Sequence, residues 1–469
     1  MTVQTGAALQ TIVDFVLTAV PPARARARAA DAIRDTIGVT LAGVGEPATC
    51  IVHEMCAAEG RGDCRILGTP HRTSPGFAAM ANGAAAHALD YDDMCFVSLA
   101  HPSCVLVPAI LAAGEVAHSP GSVLTDAYVV GFELECRLGQ TMNPRHYHAR
   151  GWHATSSIGT LGAAAAAARV LGLDAAAAAH AIAIAASAAC GLKENMGTMV
   201  KPLHAAMAAR NGVMAVRLAQ AGFTASPRAL DGPQGYLVAM DSQERSLEPH
   251  IADLGTRWEI LDTGITVKLY PSCAATHPPL DVLVDMKRRE RIDPEQVERV
   301  EVEVDSMTPR LLLYPRPSTG LEAKFSMPFC AAAALVHGRL GVETFDEAHI
   351  QDPAVQRLMP RVTLRANPAF DPPSRGASAG QVPAPLSRTR VTVRLKDGRV
   401  LTEDGQGARG YPGRVSQEEL AAKFRDCASR ALTPREVDRA WDALASFETL
   451  GDVRELTASF TGTSSRPQQ

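Results

Sequence analysis

The residues best suited to chemistry lie in one stretch, 82–103, which reads NGAAAHALDYDDMCFVSLAHPS. Apolar and small side chains surround five titratable groups there, namely His87, Asp90, Asp92, Asp93 and His101. Each could have a structural role, since aspartates cap helices and histidines occur as hydrogen-bonded core residues. Buried charge is costly unless it is paired, and clusters of titratable groups in apolar surroundings are typical of acid–base sites. The cluster as a whole therefore predicts such a site.

Two alanine-rich segments carry further groups that could bind an anion. In GWHATSSIGTLG, His153 directly precedes a predicted helix start, where free N–H groups and the helix dipole attract negative charge. Thr155 or Ser156 could cap the same helix. In GTMVKPLHAAMAARNG, the Lys201 ammonium could either reach solvent or bind an anion. His204, one turn further along that helix, is expected to take no part in the chemistry.

Composition places the chain among ordinary globular proteins. Its 469 residues are 46% hydrophobic and 20% charged, which is a typical balance, and the length predicts two domains. The 46 Lys and Arg against 50 Asp and Glu give a net charge of −4, without a basic tract that would indicate nucleic acid as a partner. No segment predicts a membrane span. The N-terminus lacks a secretory pattern, so we expect a cytoplasmic protein.

The ten cysteines do not indicate a metal site or a disulfide framework. No two of them form a C-x-x-C pair, which is the spacing common in structural zinc and iron–sulfur sites. Scattered cysteines in a long chain are typical of reduced thiols. We therefore expect neither disulfides nor a cysteine-bound metal.

The hydrophobic pattern predicts helices in the first half of the chain. Residues 7–20 read as a short helix that ends at two prolines, and Ile33, Ile37 and Leu41 form the apolar stripe of the next one. The abundant alanine predicts helices that pack closely.

A change of architecture is predicted at VKLYPSCAATHPPLD, residues 267–281, because three prolines interrupt the helical pattern. Beyond it, 297–306 alternates as a strand, and 388–404 reads as a hairpin. A helix near 323–338 and an exposed loop at 367–387 are predicted between them. Helices return at 416–432, where Ser416 and Glu419 predict a capping box, and at 434–448.

The predicted fold is therefore mainly α, with an inserted α+β region. Residues 1–267 and 409–469 are expected to form a helical domain, and residues 268–408 a smaller α+β domain.

Five motifs, in order along the chain, resemble those of the 2-methylcitrate dehydratase (MmgE/PrpD) family, which includes cis-aconitate decarboxylase and iminodisuccinate epimerase. The motifs are AHALDYDD with AHPS, GWHATSSIGTLGAAAAA, KPLH with AARNG, VKLYPSC with TH, and LEAKFS. The resemblance spans most of the chain. It implies a large helical domain built from both chain ends, a smaller α+β lid and a homodimer. It implies no metal, no iron–sulfur cluster and no organic cofactor.

The resemblance also implies which residues form the site. The implied catalytic residues are Asp90, His101, His153, Lys201 and His277. The implied substrate-binding residues are Met94, Ser103, Lys268, Cys273 and Tyr314. Two positions depart from the family pattern, because Met94 stands where many members have threonine and Ala206 where many have glycine. The missing threonine hydroxyl bears on the substrate more than on the type of reaction.

Substrates in this family are small di- and tricarboxylates, and the shared chemistry breaks a bond at a carbon next to a carboxylate. Such reactions pass through a carbanion-like state, which cations and a positioned acid or base stabilise. Lys201 would supply the charge, the histidines the acid and the base, and Asp90 would orient a histidine. We therefore predict a lyase, most simply a hydro-lyase, while epimerisation or decarboxylation would use the same groups.

Two other classes of function remain open. His87, Asp90, Asp92 and His101 offer the hard ligands of a metal-dependent hydrolase, and a carboxylate-binding protein without turnover is compatible with Met94. The implied catalytic residues share no helical spacing, so only the fold can bring them together. We expect them to line one cleft between the domains, with a locally positive potential that attracts an anion.

Overall fold

The computed structural model describes residues 6–371 and 387–461 of the chain. Most of the predicted exposed loop at 367–387 lies outside the described residues. The described residues divide into two compact units. Residues 6–88, 92–265 and 416–461 form the helical unit, and residues 89–91, 266–371 and 387–415 form the mixed unit.

The first part of the helical unit follows the predicted helical pattern. Ile33, Ile37 and Leu41 of the predicted apolar stripe are all buried. A two-strand antiparallel ribbon was not predicted, because strands of two residues show no periodicity. The helices and strands of this part are α1 (Ala7–Thr18), α2 (Ala23–Gly43), α3 (Pro47–Glu59), β1 (Cys64–Arg65), β2 (Arg72–Thr73), α4 (Pro75–Ala88), α5 (Ser103–Ala117), α6 (Gly121–Met142), α7 (Ala154–Ser157), α8 (Gly159–Val170), α9 (Ala175–Ala188), α10 (Val200–Gln220), α11 (Tyr236–Ala239), α12 (Glu248–Ile251) and α13 (Glu259–Asp262).

Small residues let the central helices approach closely, as the alanine content predicts. A Cβ added to Gly83 of α4 would lie only 3.0 Å from the Cα of Ala206 in α10. Larger side chains would not fit at this contact, because protein interiors are packed nearly as densely as organic crystals. The contact matters for the site, since α4 carries His87 and α10 carries Lys201.

A four-stranded sheet with packed helices forms the mixed unit. Its elements are α14 (His277–Glu290), β3 (Val297–Val304), α15 (Gly320–Ala323), α16 (Met327–His337), α17 (Glu347–Ile350), α18 (Pro353–Leu358), β4 (Val362–Ala366), β5 (Arg388–Leu395) and β6 (Val400–Gln406). The strand order is β4–β3–β5–β6, in which β3 is parallel to β4 and antiparallel to β5.

The structure confirms the predicted strand at 297–306 and the predicted hairpin. β5 and β6 pair as antiparallel strands, and Gly398 between them has a φ of 90°, a conformation that favours glycine. β4 was not predicted, because its alternating residues, VTLRA, form a run of only five. Val300, Val302, Val391 and Val393 point into the core of this unit.

The last described residues return to the helical unit. They form α19 (Gln417–Ala428), α20 (Pro434–Ala445) and α21 (Val453–Thr457). Ser416 and Glu419 form the expected capping box at the start of α19. Across the described ranges, no helix is both long and apolar enough to cross a bilayer. The architecture, mainly helical with one small mixed sheet, confirms the predicted fold class.

Candidate acid–base site

Two histidines converge on one aspartate in the helical unit. His87 lies in the last turn of α4, and the loop that follows carries Asp92 and then His101 before α5 begins. The Nδ1 atom of His87 lies 2.7 Å from Oδ2 of Asp92, and Nδ1 of His101 lies 3.3 Å from the same oxygen. The Asp92 and His87 side chains are fully buried, whereas the His101 side chain is 15% exposed. The rings of the two histidines meet edge to face.

The surroundings determine the charges of this group. Burial alone would raise the pKa of Asp92, but its interactions with the His87 and His101 imidazoles hold that pKa well below its usual range. Burial and, to a lesser extent, the nearby Lys201 ammonium lower the pKa of His87 to about 3, against the opposing effect of Asp92. At neutral pH, Asp92 is therefore a carboxylate and His87 a neutral imidazole.

The neutral ring of His87 links Asp92 to Lys201. Because Nδ1 of His87 faces a carboxylate, it carries the proton and donates it to Asp92. The other ring nitrogen, Nε2, is then an acceptor, and the Nζ atom of Lys201 lies 3.0 Å from it. Lys201 is only 4% exposed, so its ammonium does not extend to solvent. A buried cation beside a neutral acceptor is suited to holding the carboxylate of a ligand.

His153 lies against the same group of residues. It directly precedes α7, as predicted, and its backbone N–H donates to the carbonyl oxygen of Gly191 at 2.9 Å. Its ring stacks on that of His87, with 5.8 Å between centroids. Burial, followed by the charge of Lys201, holds the pKa of His153 well below its usual range.

His204 was expected to take no part in the chemistry, and that expectation stays untested, but its ring lies against His153. Its Nδ1 atom lies 3.0 Å from Nδ1 of His153. The sequence does not show this contact, because the residues are 51 positions apart.

The hydroxyl groups after His153 have partners other than the N-terminus of α7. The Thr155 hydroxyl accepts the backbone N–H of His101 at 3.0 Å, and the Ser156 hydroxyl donates to the carbonyl oxygen of His204 at 3.0 Å. No side-chain cap is present on this helix. These two hydroxyls therefore hold the loop of His101 and the backbone of His204 in place, instead of capping the helix.

Asp93 differs from its neighbour in both contacts and charge. Burial raises the pKa of Asp93 to about 8, so its carboxyl group is mostly protonated at neutral pH. It is hydrogen-bonded to the hydroxyl of Ser103, which also contacts the hydroxyl of Tyr128. Ser103, an implied substrate-binding residue, is fully buried, and its hydroxyl is engaged with these two groups. Met94, another implied substrate-binding residue, is half-buried in the same loop.

Asp90 belongs to the mixed unit, where it pairs with Lys268. The Nζ atom of Lys268 lies 2.9 Å from Oδ1 of Asp90 and donates to the Asp90 carbonyl oxygen at 2.8 Å. Lys324, which lies in the LEAKFS motif, donates to the carbonyl oxygen of Leu89 at 2.7 Å. These contacts explain why residues 89–91 group with the mixed unit. Asp90 also has a φ of 52°, a left-handed conformation that is uncommon outside glycine.

The orienting role that the resemblance implies for Asp90 stays a prediction, and the structure adds a second carboxylate that could share it. The carboxylate that contacts both His87 and His101 is that of Asp92. The sequence placed both aspartates in the candidate cluster and the resemblance implied Asp90, but a loop has no periodicity from which the contacts of Asp92 could be predicted.

The remaining implied residues lie in the mixed unit. His277 begins α14 and is buried, with Nε2 3.2 Å from the carbonyl oxygen of Ser272. Cys273 is half-buried, and its N–H donates to the carbonyl oxygen of Lys324 at 2.9 Å. The half-buried Tyr314 donates its N–H to the carbonyl oxygen of Phe325 at 3.3 Å.

Comparison with known proteins identifies the family. The MmgE/PrpD N-terminal domain matches residues 9–248, and the MmgE/PrpD C-terminal domain matches residues 270–449. The cis-aconitate decarboxylase of Mus musculus is 30% identical over 453 residues, which cover 92% of this chain and 88% of the relative. The cis-aconitate decarboxylase of Homo sapiens is 28% identical over 410 residues, covering 85% and 82%.

A fungal relative shows a similar degree of likeness. The cis-aconitate decarboxylase-like protein oryM of Aspergillus oryzae is 28% identical over 427 residues, which cover 86% of each chain. Two domain matches in the expected order, together with relatives aligned over most of their length, agree with the motifs seen in the sequence. The chain belongs to the MmgE/PrpD family.

Proposed function

We propose that this protein is a lyase that acts on a small tricarboxylate, and that the first reaction to test is decarboxylation of cis-aconitate. The observation that carries the proposal is the buried contact series Asp92–His87–Lys201, with His101 and His153 beside it. The names of the relatives direct attention to decarboxylation. The geometry supports it because decarboxylation requires a fixed cation and a proton donor, and both are present in this group.

The proposed step is a simple one. The bond between a carbon and its carboxylate breaks, carbon dioxide leaves, and the electron pair stays on the carbon. Lys201 offsets the developing negative charge, which a buried ammonium does better than water can. An imidazole N–H of His101 or His153 then delivers a proton to that carbon. Asp92 and His87 hold the Lys201 ammonium in position, since His87 is bonded to both.

Dehydration of a 2-methylcitrate-like hydroxy acid is the second candidate. It needs a base for the α-proton and an acid for the leaving hydroxyl, and the site holds several imidazoles whose pKa values are lowered by burial. Such rings are neutral at pH 7 and can accept a proton. Epimerisation would use the same groups on opposite faces of one carbon.

We further propose that the chemistry requires no metal. His87, Asp92 and His101 offer ligand atoms within 4.8 Å of one another, as expected for the hydrolase alternative. The Lys201 ammonium, however, already lies on the Nε2 atom of His87, and a cation at that position repels a divalent ion. Activity should therefore survive prolonged treatment with a chelator. Loss of activity, restored by one metal ion per chain, would support the hydrolase instead.

The direct test is a turnover screen followed by NMR in D2O. cis-Aconitate, methylcitrate, citrate and aspartate-derived dicarboxylates are each incubated with the protein, and loss of substrate, carbon dioxide release and deuterium incorporation are measured. We expect carbon dioxide and one deuterium in the product from cis-aconitate. Binding of these acids without any turnover or deuterium exchange would leave the carboxylate-binding alternative standing.

Variants of the site then connect turnover to the described contacts. Lys201→Met should abolish most turnover while the protein stays folded, because the apolar stem keeps the packing. His101→Gln and His153→Gln should each reduce kcat by about a hundredfold or more if the imidazoles transfer protons. The exposed residues His71 and Lys396 provide matched controls, since His71→Gln and Lys396→Met make the same changes elsewhere. Equal losses in site and control variants would contradict the proposal.

A further inference from the structure

The contact between His153 and His204 has a consequence for proton transfer. The two Nδ1 atoms face each other at 3.0 Å, which is the distance of a hydrogen bond. Two lone pairs at that distance would repel, and two N–H groups would collide. A single proton must therefore lie between the rings, so that one histidine donates and the other accepts.

Both rings are neutral at physiological pH. Burial lowers the pKa of His204 to about 4, and the charge of Lys201 contributes. The pKa of His153 is also held well below its usual range, by burial and then by the charges of Lys201, His87, His204 and His101. A neutral imidazole carries one proton, on either Nδ1 or Nε2. Two neutral rings that share one proton between their Nδ1 atoms must hold opposite tautomers.

Several backbone contacts hold the pair in this orientation. The His153 N–H donates to the carbonyl oxygen of Gly191 at 2.9 Å, and the Ser156 hydroxyl donates to the carbonyl oxygen of His204 at 3.0 Å. Gly191 has a φ of 130°, and a Cβ there would lie 2.9 Å from Cβ of Ser156. Glycine is therefore required for the chain to pass this close to the two rings.

We propose that His204 is a positioning residue that donates its Nδ1–H to Nδ1 of His153 and thereby keeps the proton of His153 on Nε2. His153 then presents an N–H, and not a lone pair, on the side of its ring opposite His204. This inference rests on the proposed function, because an N–H at that nitrogen is what the protonation of a carbanion requires. When the Nε2 proton moves to the substrate carbon, His153 is left as an imidazolate anion. The Nδ1–H of His204 and the nearby Lys201 ammonium stabilise this anion, and solvent returns a proton to Nε2 afterwards.

Two substitutions separate this role from simple packing. An asparagine amide can place an N–H near the position of a histidine Nδ1, so His204→Asn keeps the donor, whereas His204→Phe fills similar space without one. We expect kcat to fall by about 10- to 100-fold in His204→Phe. This is smaller than the full contribution of a general acid, because His153 itself remains. In His204→Asn it should stay within a few-fold of the parent, and KM should change little in both. Equal losses of kcat in both variants would overturn the proposal.

An NMR measurement determines which histidine carries the shared proton, and it needs no substrate. In protein labelled with ¹⁵N at histidine, the two-bond ¹H–¹⁵N correlations distinguish the two tautomers, and His153→Gln and His204→Asn identify the signals. We expect the Nε2–H tautomer for His153 and the Nδ1–H tautomer for His204, with the His153 tautomer lost or mixed in His204→Phe. The inference would be overturned if the two tautomers were reversed, if both histidines held the same tautomer, or if His204 were charged. The tautomers are measured on the protein without substrate. The result therefore tests the roles of His153 and His204 even if the proposed function proves wrong.

Discussion

Replacing Asp92 by asparagine tests the arrangement of the site most directly. Asp92→Asn preserves the size and shape of a fully buried side chain but removes its charge. In the parent, Nδ1 of His87 lies 2.7 Å from Oδ2 of Asp92. The amide oxygen of the asparagine can still accept the same N–H. The change therefore removes the electrostatic part of the contacts with His87 and His101 while leaving the packing in place.

The size of the effect follows from the number of contacts. Hydrogen bonds to charged groups contribute about 1.5–3 kcal/mol and neutral ones about 0.5–1.5 kcal/mol, so each of the two contacts loses about 1–1.5 kcal/mol. Together they amount to about 2–3 kcal/mol, or about a 30- to 160-fold decrease in kcat/KM. If the asparagine amide instead turns its NH2 towards His87, the ring must reverse its tautomer and present an N–H to Lys201. The loss would then approach the roughly 10⁴-fold seen when a triad carboxylate is replaced by its amide.

The assay is kcat/KM on the substrate found in the turnover screen, with thermal unfolding measured in parallel. Asp126→Asn is the matched control, because Asp126 lies 3.6 Å from Arg26 on the partly exposed side of α6 and should leave activity unchanged. The reasoning fails if Asp92→Asn retains activity within threefold of the parent while Asp90→Asn abolishes it. That result would assign the orienting role to Asp90.

Two further predictions concern stability. Burial raises the pKa of Glu135, which is 1% exposed, well above its usual range. The folded protein therefore keeps a proton on Glu135 that the unfolded chain releases above about pH 4.5. As a result, this residue lowers the free energy of unfolding as the pH rises, by up to about 1.4 kcal/mol per pH unit. In urea unfolding between pH 5 and 8, the stability of Glu135→Gln relative to the parent should increase with pH at up to that rate. The same substitution at the exposed Glu448 should show no such trend. Lys268→Met leaves the buried Asp90 carboxylate without its counter-ion and should cost about 3–5 kcal/mol. Adding Asp90→Asn to Lys268→Met should restore much of the lost free energy of unfolding. If the effects of the two substitutions on this free energy simply add, the two side chains are not coupled.

Where the pattern was local, the sequence was sufficient. The apolar stripe of α2, the capping box at Ser416 and the alternation of β3 all depend on residues within a few positions of one another. The mainly helical class followed from the same local patterns. β4 was missed because its alternation, VTLRA, spans only five residues, against eight in β3, and its parallel pairing with β3 is a contact between distant segments.

For the site, the sequence by itself pointed to the stretch 82–103 and to His153 and Lys201, and the family resemblance added His277. Tertiary structure alone decided the pairings. Lys201 meets His87 across 114 positions of sequence, through a helix contact that only the small residues Gly83 and Ala206 allow. It also placed Asp92 against both His87 and His101 and brought His204 onto His153, because side-chain directions in loops and between helices depend on the packing of distant segments. That His277 acts together with these groups stays a prediction, and it depends on contacts that no local pattern encodes.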